Sequence, residues 1–80
     1  MDDRLKKYTV ALQKVEEAIG KMPMSKKMLD EQLEEARLLQ DKDKIIAIHS
    51  VKGELHRQEL ALLDQRKRLM ERIYAVRLEI

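Results

Sequence analysis

Cysteine is missing from all 80 residues, which rules out a disulfide framework and any thiolate metal site and is compatible with a reducing cytoplasm. Trp and Phe are missing too, and Tyr8 and Tyr74 are the only aromatics. The interior therefore has to be built from Leu, Ile, Val, Met and Ala, the composition of helical bundles and coiled coils. With one Pro and two Gly there is little punctuation for a loop-rich or all-β chain. The longest apolar runs, Ile45 to Ile48 and Leu60 to Leu63, are far too short for a membrane span or a signal-peptide core. Met1-Asp2-Asp3-Arg4 is also wrong for a secretory leader, so the expected location is cytoplasmic. Charge of one sign is scarce as well: 17 Lys plus Arg nearly cancel 15 Asp plus Glu, leaving +2, so this is no polybasic protein.

What is present is a repeat of seven. Ile48, Leu55, Leu62, Leu69 and Val76 recur at every seventh position of a stretch with no Pro and a single Gly, residues 44–79. Such a repeat marks a helix made to pack along another helix. At 1.5 Å per residue the rod is roughly 54 Å long, more than a compact chain of this size needs. Eighty residues can hold one domain, and a single core of that size is marginal without disulfides or metal.

Near the start, Asp2 or Asp3 can cap a first helix over residues 3–20. Its apolar residues Leu5, Tyr8, Leu12, Val15, Ile19 and Met22 alternate steps of three and four, a heptad seam. Gly20, Pro23 and Ser25 then offer a stop, a breaker and a new cap, with Met24 and Leu29 spaced as a hydrophobic staple. A turn is predicted at 20–25 and a second helix at 26–40. The rival reading is a continuous helix kinked at Pro23, because Leu29, Leu33 and Ala36 keep the frame of the first helix. Gln40-Asp41-Lys42-Asp43-Lys44 is polar, without Gly or Pro, and is either a turn capped by Asp41 or Asp43 or a helical bridge. The expected fold is all-α: a long helical hairpin or an elongated three-helix bundle with a long C-terminal coiled-coil helix.

Placed at about 100° per residue, the C-terminal helix carries an apolar arc about 160° wide, enough for two neighbours. Within it Lys52, Glu59 and Arg66 occupy a second row of sevens continued by Ile73 and Ile80. Long stems can lie on a core while their heads reach water. Alternatively, a second copy packed antiparallel about Leu62 and Leu63 sets Glu59 opposite Arg66 and Leu55 opposite Met70. The expected self-association seam is accordingly Ile48, Leu55, Glu59, Leu62, Leu63, Arg66, Leu69, Met70, Ile73 and Val76.

Other constellations carry less. His49 and His56 share a face with Glu59 one turn beyond, but the chain has no Glu-x-x-His, so no metal or cofactor is expected. Arg57, Arg66, Lys67, Arg68, Arg72 and Arg77 make the C-terminal half basic, yet Asp64, Glu71 and Glu79 share the outer face, and a phosphate-tracking surface wants unmixed charge. Met22, Met24 and Met28 either offer an adaptable surface or plug the end of a core. The stripe of the first helix, lacking Trp and Phe, suits partner helices better than lipid. Ser50 beside His49 diverges by about 100° on a helix and cannot form a nucleophile–base pair, and no Gly-rich phosphate loop exists, so no catalytic residue is expected. The function predicted is a non-catalytic protein–protein interaction module, a homodimer at first guess, serving as adaptor, small assembly chaperone or regulatory subunit. A dimeric nucleic-acid-associated regulator is the alternative.

Overall fold

The computed structural model describes residues 2–80. Two helices, α1 (Asp3–Leu38) and α2 (Lys42–Glu79), run side by side in opposite directions and give a rod 60 × 15 × 13 Å. Among the described residues there is no strand. The chain is thus all-helical and extended, and its shape is that of a hairpin. Two helices take the place of the three that a bundle requires.

α1 starts at Asp2, whose Oδ1 accepts a hydrogen bond from the Arg4 amide at 2.9 Å. From there Leu5, Tyr8, Leu12, Val15, Ile19, Met22, Lys26, Leu29, Leu33 and Ala36 form one row of less exposed residues in steps of three and four. The row passes through Pro23 without a break, and so does the helix. The turn predicted at 20–25 and the separate helix at 26–40 are therefore overturned in favour of the continuous reading. Ser25 does not cap a new helix; its hydroxyl donates back to the Lys21 carbonyl at 3.4 Å. Met24 is 72% exposed, so the staple against Leu29 does not form.

The energetics explain why the breaker loses. An interior proline costs roughly 3 kcal/mol, chiefly through the missing N–H bond to the residue four before it. Keeping the frame, however, lays Leu29, Leu33 and Ala36 against Ile45 and Ile48, a cluster in which Leu33, Ala36 and Ile48 are buried. Each large aliphatic side chain so buried contributes roughly 1.5–3 kcal/mol, which together exceeds the proline's cost. Pro23 itself lies on the exposed face of the helix.

The turn resolves what the polar run left open. Gln40 takes the left-handed conformation, φ 54°; its amide donates to the Arg37 carbonyl, and the Asp41 amide donates to the Ala36 carbonyl at 3.0 Å. That pair of bonds is the Schellman close of a helix, achieved here without glycine. Asp41 then caps α2, its carboxylate accepting from the Lys44 amide at 3.1 Å. Of the two caps the sequence offers, Asp41 is the one used, and α2 begins at Lys42 instead of residue 44.

Burial is concentrated at the two ends of the rod. Leu33, Ala36 and Ile48 are buried near the turn, and Ile73 and Val76 near the open end. Between them lies a half-buried middle whose row includes Lys26, Lys52, Glu59 and Arg66.

Candidate functional site

The two rows named from sequence face each other within one chain. On α2, Ile48, Ile73 and Val76 are buried, while Leu55, Glu59, Leu62, Leu63, Arg66 and Leu69 are half-buried; Met70 is exposed. On α1, Leu5, Tyr8, Leu12, Val15, Ile19 and Met22 are all half-buried. The opposed rows meet along the whole rod. Tyr8 lies under the Arg72 guanidinium, 5.9 Å from its ring centre, Leu12 shares a cleft with Met70 and Ile73, and Arg4 reaches Glu79 at 2.6 Å. Most of the seam expected to meet a second copy is thus turned toward α1, Leu55 and Leu62 included.

The charged row behaves as long stems on a core with heads at its edge. Lys52 reaches Asp30 at 2.5 Å, and Glu59 meets Lys26 at 2.5 Å. Lys26 was missing from the sequence reading of this row, because it sits just past Pro23, where the first seam was expected to have ended. Arg66 has no carboxylate within 4.0 Å among the described residues, although its side chain is drawn into the half-buried row.

What a two-helix rod cannot cover is the outer flank of α2. Leu60, Leu63, Met70 and Tyr74 continue the three–four alternation through Lys67, one step around the helix from the seam. Leu60 is 53% exposed, Met70 53% and Tyr74 66%, and Ile46 extends the row toward the turn at 68%. Leu60, Tyr74 and Ile46 are not among the seam residues expected from the sequence, although the wide apolar arc leaves room for two neighbours. The signal was available in the wide apolar arc and in the second alternation running through it.

Also on this flank are His49, His56 and Gly53. The His56 Nδ1 stands 4.0 Å from Glu59, and among the described residues no three His, Asp or Glu side chains gather as metal ligands. A β-carbon added at Gly53 would meet nothing within 4 Å, so the outer row has a shallow notch open to solvent toward the turn end of α2. Among the described residues no helix is long and apolar enough to cross a membrane. No family model, curated protein or solved structure matches the chain.

Proposed function

We propose that this chain is a non-catalytic protein–protein interaction module: an antiparallel coiled-coil hairpin in which α1 braces α2, and the outer flank of α2 receives a partner helix. The observation that carries this reading is the row Leu60, Leu63, Met70 and Tyr74, spaced like a seam, in which Leu63 is half-buried and Leu60, Met70 and Tyr74 are exposed. Solitary exposed leucines are ordinary on a surface; a helical alternation of them beside an occupied groove is the pattern of helix-in-groove recognition. A module of this kind serves as an adaptor, a small assembly chaperone or a regulatory subunit. The nucleic-acid reading draws less support, because Arg57 and Arg68 are engaged by Glu54 at 2.8 Å and Asp64 at 3.0 Å.

The test is quantitative retention of cellular proteins on the immobilised chain and on Leu60→Asp/Tyr74→Asp. Both residues are exposed, so helicity and melting should be unaltered while the retained partner is lost. An unchanged retained set would refute the role given to this flank. Bound nucleic acid released steeply by salt would favour the alternative instead.

A further inference from the structure

Resting on that reading, we infer that the helix received by α2 is α2 of a second copy of this chain, packed antiparallel with the two-fold axis beside Ala61 and Leu62. Helical periodicity and charge together select this arrangement.

In this register Leu60 of each copy meets Leu63 of the other, giving two leucine layers at the centre. Moving outward, Met70 enters the notch at Gly53 and Tyr74 lies over His49. The notch then has an occupant. A glycine inside an exposed helical face costs about 1 kcal/mol against alanine, and among the described residues nothing comes within 4 Å of where its β-carbon would stand. The remaining layer sets Lys67 against His56.

Charge fixes the register. On the solvent side of the row Arg57, beside its own Glu54, faces Asp64 of the second copy, beside its own Arg68, and on the seam side Glu59, already near Lys26, faces Arg66, each pair occurring twice. Arg66, with no carboxylate within 4.0 Å among the described residues, thereby gains one. Sliding the copies one heptad toward their C-termini puts Arg66 on Arg66 and Asp64 on Asp64. Sliding one heptad the other way puts Glu59 on Glu59 and Arg57 on Arg57. A parallel pair stacks Lys67 on Lys67 in the row itself and sets Glu59 beside Asp64 at its flank. Like charges so placed penalise every one of these alternatives. The selected register also lets the two α2 helices overlap over nearly their full length, which a marginal 80-residue core needs.

Because the chain has no cysteine, single-cysteine variants report the arrangement directly. Arg57→Cys and Asp64→Cys chains, both altered at exposed sites, are mixed and oxidised. The mixed disulfide should far exceed the two symmetric ones taken together, which random pairing would only equal, and sedimentation equilibrium of the unaltered chain should give twice the 9.5 kDa chain mass. Gly53→Leu supplies an opposite pair of readouts: unfolding in urea no easier than before when both chains are dilute enough to be monomers, and dimerisation weaker by roughly tenfold or more, because the notch is filled. Predominance of a symmetric disulfide, or dimerisation indifferent to Gly53→Leu, would overturn the arrangement. So would a monomer at hundreds of micromolar. If that monomer still loses its retained partner on Leu60→Asp/Tyr74→Asp, the interaction module stands with another occupant; if it loses nothing, both readings fall.

Discussion

Lys26 and Glu59 meet across the two helices, Nζ to Oε2 at 2.5 Å, in the half-buried middle of the seam; the Glu59 side chain is only 20% exposed and that of Lys26 45%. A seam position filled by a charge gives up the burial a leucine would supply, and the attraction between the two groups only partly offsets this. Because Lys26 remains substantially in water, the pair itself contributes on the order of 1 kcal/mol or less. Lys26→Leu/Glu59→Leu should therefore stabilise the chain by roughly 1–3 kcal/mol, while Glu59→Gln alone weakens it slightly. Urea unfolding decides this. A double-leucine midpoint at or below that of the parent would show that the charges hold the middle of the rod together by more than they forfeit.

Pro23 makes a separate and larger prediction. With its ring on the exposed face, alanine there introduces no clash and restores the bond to the Ile19 carbonyl. Pro23→Ala should stabilise the chain by roughly 2–3 kcal/mol, read as a higher denaturant midpoint with the slope unchanged. Were residues 20–25 a turn in solution, the same change would leave the midpoint almost where it was.

Much of this was legible in the residues, and the parts that were not have definite causes. The heptad of α2, the seam of α1 from Leu5 to Met22 and a cap at Asp41 or Asp43 follow from local spacing and hydrogen-bond chemistry, both of which the sequence displays, and the fold selects Asp41. Pro23 misled because its cost is local and visible, whereas the burial of Leu29, Leu33 and Ala36 that outweighs it depends on where α2 lies. Gln40 hid the turn, since the left-handed residue closing a helix is usually glycine or asparagine. The outer row of α2 was half seen: a wide arc told of two neighbours, but only the fold shows that α1 takes Leu55, Leu62 and Leu69 and leaves Leu60, Met70 and Tyr74 in the open.

Gln40 offers two substitutions of opposite sign. At φ 54° a side chain crowds its own backbone and glycine does not, a difference partly offset by glycine's greater freedom in the unfolded chain. Gln40→Gly should raise stability by about 0.5–1 kcal/mol, whereas Gln40→Val, branched where the left-handed region tolerates branching least, should lower it by more than 1 kcal/mol. Thermal melts of the two variants bracketing the parent would establish the turn; melts falling on the same side of it would show that Gln40 leaves the left-handed conformation in solution.

The open end of the rod is where pH acts. Asp2 is held below the ordinary aspartate value, first by the side-chain hydrogen bonds from the Arg4 guanidinium, Nη2 to Oδ2 at 3.1 Å, and next by the Arg4 amide that it caps. A depressed carboxyl stabilises the fold fully above its unfolded-state value and stops doing so as pH falls through the lower folded one. The acid side is therefore where the first turn of α1 loosens. Since Arg4 also grips Glu79 at 2.6 Å, the contact between the two chain ends should weaken with it. Asn at this position still accepts the Arg4 amide but does not titrate. In a carbon-detected NMR titration, Asp2 should inflect below the range of an unstructured aspartate, with the Arg4 amide resonance moving in step, and Asp2→Asn should flatten the Arg4 curve in that window. An ordinary midpoint for Asp2, or an Arg4 amide that ignores it, would mean that the cap and the guanidinium bond are not formed in solution.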